Sequence, residues 1–159
     1  MQATEPISIT ASITILKPAP EVFGAILNPA PFFIQRASAP LSEDADVLWT
    51  FAETDTAVPV RGKKIVPNEL VRFEWGAAGG GRNTVEFRLQ NPQELNPAAR
   101  PSGPATTVTV TESGWPADEK GRAASYGNTM GWTQMICSLK AWLEHRVNLR
   151  EGAFIHYKF

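Results

Sequence analysis

From residue 7 onward the chain alternates. Ile7, Ile9, Ala11, Ile13 and Ile15 are separated by Ser8, Thr10, Ser12 and Thr14, the period of two that turns one strand face to apolar material and the other to water. Five later segments repeat the pattern. Residues 46–52 put Val47, Trp49 and Phe51 on one side, and residues 57–66 set Val58 and Val60 against Arg61 and Lys63. Residues 70–76 set Val71, Phe73 and Trp75 against Arg72 and Glu74. Residues 84–90 set Val85, Phe87 and Leu89 against Glu86, Arg88 and Gln90, and residues 106–112 set Val108 and Val110 against Thr107, Thr109 and Thr111. One wet face and one covered face imply antiparallel pairing.

The period then changes. Across residues 121–149, Trp132, Ile136, Leu139, Leu143 and Val147 form an apolar stripe, widened by Met135 and Trp142. At helical spacing they fall within an arc of roughly 160°, while Lys140, Glu144 and His145 point elsewhere. A helix of this span is about 42 Å long and needs a broad apolar surface, which the strands supply. Between the first two strands, Lys17-Pro18-Ala19-Pro20 is a break. Residues 20–27 read as a short helix with proline near its start, and residues 30–35 as a second one carrying Phe32 and Phe33. Residues 66–69 and 76–82 are turns. Residues 91–104, with four prolines, form a long irregular loop of the kind that serves as an insertion or a flap beside a pocket. Neither an internal repeat nor a second domain is visible, so residues 1–159 are read as one domain, with a core over 7–149 and a tail over 150–159.

The order strand, two short helices, five antiparallel strands and a long C-terminal helix is α+β. It resembles the helix-grip (Bet v 1-like/START) fold, in which a curved antiparallel sheet of about six strands wraps its last helix and encloses a cavity. Ile13-Thr14-Ile15 followed by Ala19-Pro20-Glu21-Val22-Phe23 is similar to the opening strand and helix start of the Activator of Hsp90 ATPase homologue 1-like (AHSA1) family of the START/Bet v 1-like superfamily (SRPBCC). Val66-Pro67-Asn68-Glu69-Leu70-Val71-Arg72-Phe73-Glu74-Trp75 resembles the hairpin of that family. Residues 107–114, then Gly131-Trp132 with Leu139 and Leu143, resemble its last strand and helix. The resemblance runs from Ile7 to Val147. Three places depart from it: Phe32-Phe33-Ile34, where members commonly carry tryptophan, the 91–104 loop, and the tail from Asn148.

Composition narrows the function classes. Fifteen basic and sixteen acidic residues leave a net charge of −1, and no basic block provides the electrostatic footprint of a nucleic-acid binder. The first ten residues lack the charged and apolar regions of a secretion signal, and no apolar run approaches a membrane span. With one cysteine, Cys137, no intrachain disulfide forms, and a cytoplasmic location is the expectation.

The covered face carries Trp49, Phe51, Phe73, Trp75 and Phe87, which form either a solid core or the wall of a cavity of the size small ligands occupy. From the helix, Asn128, Trp132, Ile136 and Leu139 face them. These nine are the candidate ligand contacts, with Asn128 expected to orient a polar group of the ligand. Ser125 and Thr129 share its face, and buried hydroxyls and amides require partners. Arg146 falls within the stripe near its far end, as a snorkelling side chain, an ion-pair partner or a carboxylate site.

For catalysis the inventory is thin. The inward strand positions read above contain no acid or base apart from Lys64, if the alternation continues past Gly62. Glu112, Arg61 and Lys63 are read as solvated, and His145, His156 and Cys137 as isolated, which leaves no catalytic set, no metal cluster and no cofactor. The tail 153–159, rich in aromatics, is expected to add an edge strand, cover a sheet edge or contact a second copy as a homodimer. The main functional expectation is non-catalytic binding of a small hydrophobic molecule between sheet and helix. A polyketide cyclase/dehydratase-like enzyme is the alternative on the same fold, and a co-chaperone-like interaction module is the third reading.

Overall fold

The computed structural model describes residues 4–54, 56–77 and 80–156. Seven strands form one sheet in the order β1-β7-β6-β5-β4-β3-β2: β1 (Ile7–Ile15), β2 (Arg36–Ala37), β3 (Asp46–Thr50), β4 (Ala57–Val66), β5 (Leu70–Gly76), β6 (Arg82–Gln90) and β7 (Thr106–Trp115). Every neighbouring pair is antiparallel. The helices are α1 (Ala19–Leu27), α2 (Pro92–Leu95) and α3 (Glu119–His145). The expected helix-grip arrangement is formed, with a seventh strand, the two-residue β2, that no alternation announced.

The inward faces build one apolar cluster. Trp49, Val60, Val71, Phe73, Val85, Phe87, Val108 and Val110 meet Trp132, Met135, Ile136 and Leu139 of α3 and Val22 and Ile26 of α1. The outward face of β1 and β7 pairs hydroxyls across the strands: Thr14 with Thr107 at 2.8 Å, Ser12 with Thr109 and Thr10 with Thr111 at 3.3 Å. Such cross-strand pairs are the unit of sheet stabilisation. On β5 and β6, Arg72 Nη2 lies 2.6 Å from Glu86 Oε2. Burial pushes the Glu86 carboxyl up, but hydrogen bonds and charge from Arg72 and Arg88 outweigh it and hold the group below its ordinary range.

Helix α3 begins where Asp118 Oδ1 accepts the Gly121 N–H at 2.7 Å, an N-cap bond that satisfies one of the open N–H groups of the first turn. It ends at His145 because Arg146 takes a left-handed conformation, φ 56°, and the Val147 N–H turns back to the Ala141 carbonyl. The expectation of helix to residue 149 is therefore corrected. Val147 leaves the stripe and is 47% exposed, while Arg146 caps the helix with its guanidinium over the Trp142 ring at 5.6 Å. The cap is αL without glycine or asparagine, so the usual sequence sign of a helix end is missing.

Other expectations change for local reasons. In place of the helix expected over residues 30–35, residues 30–33 form a turn, with the Phe33 N–H on the Pro29 carbonyl. Pro29 and Pro31 each disfavour helical backbone in the residue before them. Lys64 is exposed, because the β4–β5 register shifts between Gly62 and Lys64 and the bulge hands the inward position to Ile65, as a single inserted residue must. The 91–104 loop contains α2, closed by a capping box between Asn91 and Glu94.

Candidate functional site

A sheet of seven strands spaced by about 4.8 Å is wider than a helix of about 10 Å diameter can cover. Helix α3 lies over β1 and β7. On its other side, towards β3 and β5, a cavity of about 450 Å³ remains, with a mostly apolar lining. The sheet side contributes Trp75 and Phe51, the turn after α1 contributes Phe33, and α3 contributes Asn128, Gly131 and Trp132. Glu53, Arg150 and Phe154 stand around it as well.

The aromatic wall is tightly associated. Trp75 and Trp132 have ring centroids 5.2 Å apart, Phe33 lies 5.7 Å from Trp132, and Phe33 meets Phe51 edge-on at 5.5 Å, spacings typical of favourable aromatic pairs. Beneath the wall sits Glu112, fully buried. Its Oε1 accepts the Trp75 indole N–H at 2.8 Å and an Asn83 amide N–H at 3.0 Å. Its Oε2 accepts the Trp132 indole N–H at 2.5 Å and an Asn128 amide N–H at 2.9 Å. Two donors on each oxygen fill the acceptor capacity a carboxyl group offers in such a site. Burial without these partners would cost several kcal/mol, on the order of the penalty for an unpaired charge. One side chain thus ties β5, β6, β7 and α3 together and fixes both indoles of the cavity wall.

Glu112 corrects the sequence reading, which placed it in solvent. Its position has the same parity as Val108 and Val110, and β7 continues past it to Trp115, so the alternation itself carried the signal. Asn83 follows by the same parity from Val85, since β6 starts at Arg82 rather than at residue 84.

The family model described as Activator of Hsp90 ATPase homolog 1-like protein matches residues 17–144. The chain belongs to the AHSA1 family. Its fold is also that of solved structures. Protein SSP2350 from Staphylococcus saprophyticus superposes with a TM-score of 0.72 at 23% identity, covering 91% of this chain and 96% of that one. DynU16, a putative protein in the dynemicin biosynthetic locus, gives 0.70 at 21% identity, covering 89% of this chain and 48% of that one. The Aha1 dimer from Colwellia psychrerythraea gives 0.66 at 16% identity, with coverage of 87% and 97%. No curated protein matches the chain.

Within this AHSA1 fold the nine sequence candidates divide. Phe51, Trp75, Asn128 and Trp132 line the cavity, whereas Trp49, Phe73, Phe87, Ile136 and Leu139 lie in the packed cluster. The Ser125 and Thr129 hydroxyls donate to the helix carbonyls of Arg122 and Ser125, each at 2.7 Å, so neither needs an outside partner. Cys137 is exposed on the far side of α3. Among the described residues, no helix is long and apolar enough to cross a membrane, and no group of three or more His, Cys, Asp or Glu is placed to hold a metal ion.

The tail contributes what no pattern indicated. After α3 the described part of it runs in turns and brings Arg150 and Phe154 to the cavity. Arg150 Nη2 donates to Glu53 Oε1 at 2.6 Å, with both side chains largely buried, 13% and 10% exposed. The guanidinium lies 5.4, 6.0 and 4.6 Å from the ring centroids of Phe33, Phe51 and Phe154, within cation–π range. Of the three roles expected for the tail, an edge strand is not formed by residues 153–156, and residues 157–159 lie outside the described part.

Proposed function

We propose that this AHSA1 protein binds a small hydrophobic molecule in the cavity between α3 and the β3–β5 side of the sheet, without a chemical step. The observation that supports the reading is the wall itself. Trp75, Trp132 and Asn128 border the cavity while both indole N–H groups and one amide N–H are committed to Glu112 behind it. What remains towards a ligand is aromatic surface with a few polar atoms, the usual make-up of a small-molecule site, and its volume falls in the usual range. Asn128 keeps the orienting role: one of its two amide N–H donors is held by Glu112, which fixes the side chain with its oxygen as an acceptor for a ligand.

The same geometry speaks against the cyclase alternative, despite the likeness to a protein of a biosynthetic locus. A general base must come within hydrogen-bond reach of the proton it moves, and Glu112 is sealed from the cavity by the indoles it holds. We further propose that residues 1–159 act as one cytoplasmic domain, with a second copy of the chain as its protein partner. A thermal-shift screen with neutral apolar compounds tests the binding reading. Mass action predicts stabilisation of about 2.7 kcal/mol at ligand concentrations of about a hundred times Kd. No stabilisation by any member of a broad apolar library would remove the reading.

A further inference from the structure

The cavity has one cation and one anion on its lining among the described residues, Arg150 and Glu53, and they are paired with each other. The pair rests on chemistry more exacting than a surface contact. Both side chains are largely buried, the Nη2–Oε1 distance is 2.6 Å, and three aromatic rings surround the guanidinium. A guanidinium offers five N–H donors and a carboxylate two acceptor oxygens. The hydrogen bond between them occupies Nη2 and Oε1, and among the described residues no other side chain bonds to the guanidinium or to Glu53 Oε2. Donors and an acceptor therefore stand side by side at one cavity, whose lining carries one charge of each sign among the described residues.

We propose that the Arg150–Glu53 pair selects uncharged ligands: an aromatic or alicyclic body carrying one neutral group that both donates and accepts a hydrogen bond, a hydroxyl or a primary amide. The inference rests on the binding reading and adds the ligand class to it. A hydroxyl donates to the carboxylate and accepts from the guanidinium without disturbing the charge balance. An anionic head meets the Glu53 carboxylate, and a cationic head meets the Arg150 guanidinium, in a site whose apolar walls screen charge poorly. The tail residue Arg150 is thus part of the site, and the selection is shared between the segment after α3 and the loop after β3 that carries Glu53.

The test uses the whole chain and three probes on one ring system: 2-naphthol, 2-naphthoate and 2-naphthylmethylammonium, titrated calorimetrically at neutral pH. The expected order places the naphthol at least about tenfold tighter than either ion. In Glu53→Gln the lining carries net positive charge, so the naphthoate-to-naphthol affinity ratio rises by on the order of tenfold. In Arg150→Gln the naphthylmethylammonium-to-naphthol ratio rises instead. A gain of binding by a charged probe is not something a misfolded variant produces. If wild-type protein binds the three probes with equal affinity, or if neither ratio moves in the variants, the selector is refuted while the binding reading stands. If none of the three binds, the selector is refuted, and the binding reading is decided by the broad apolar library.

Discussion

Trp132 on α3 and Glu112 on β7 are joined by an indole N–H donated to Oε2 at 2.5 Å, across the apolar interface that holds helix and sheet together. The same oxygen takes Asn128, and the other oxygen takes Trp75 and Asn83. The carboxyl is the fastener of the grip and the support of the cavity wall at once.

Removing that fastener leaves four N–H donors without an acceptor, those of Asn83 and Trp132 buried and those of Trp75 and Asn128 half-buried. Glu112→Ala should lower stability by about 3–5 kcal/mol, the scale for breaking a buried charged network from one side. Glu112→Gln returns one acceptor oxygen but opposes an NH2 group to two donors, and should cost about 1–3 kcal/mol. Chemical denaturation followed by tryptophan fluorescence measures both. Loss of less than 1 kcal/mol in the alanine variant would mean that the donors find water, and that the network does not hold the helix.

Gly114 lies at the back of the same network with φ 128°, and a Cβ there would stand 2.6 Å from Asn83 Oδ1. Gly114→Ala should therefore destabilise by about 1–3 kcal/mol and displace Asn83 from Glu112. The indole N–H resonances of Trp75 and Trp132 should shift along with the midpoint. Unmoved indole resonances in a destabilised variant would disconnect the glycine from the network.

The lower end of α3 is pinned by a second carboxylate. Glu144 Oε2 takes Lys140 Nζ at 2.5 Å and the Leu16 N–H at 3.2 Å, and Lys140 Nζ also donates to the Thr14 carbonyl at 2.8 Å. Burial raises the Glu144 carboxyl, but the hydrogen bonds from Lys140 and Leu16 and the charges of Lys140 and His145 prevail and hold it below its ordinary value of about 4.5. A carboxyl depressed in the folded state contributes stability that is fully present above the unfolded value and fades as pH falls through the folded one. The advantage of wild type over Glu144→Gln should thus be present at about pH 7 and shrink as the pH falls below about 4.5, read from denaturation midpoints at each pH. A difference that is constant across this range would contradict the assignment.

Most of the sheet could be read along the chain because alternation is a local property: β1, β4 and β5 form with the expected limits. Where a bulge or a turn intervened, reading failed locally. The shift at Gly62–Lys64 reversed the direction of Lys64, and paired prolines removed the helix expected at 30–35. Glu112 shares the parity of Val108 and Val110, although the sequence reading placed it in solvent; its four partners come from three other elements, and no sequence interval joins them. Arg150 and Glu53 were not legible at all. They are 97 residues apart, one in a loop and one in a tail, and neither segment has a period.

Gly131 lines the cavity, and a Cβ built there meets nothing within 4 Å. Gly131→Ala should therefore stabilise α3 by about 0.5–1 kcal/mol, with thermal denaturation as the measurement. An unchanged or lower midpoint would mean that the space beside the helix is filled.

The most direct measurement follows from that position: titration of the neutral fluorophore N-phenyl-1-naphthylamine into wild type and Gly131→Phe, with far-UV circular dichroism confirming that both are folded. The account predicts saturable one-to-one binding to wild type and at least about tenfold weaker binding when the phenyl ring occupies the cavity. Equal binding by both proteins, or no saturable binding by wild type, would contradict it.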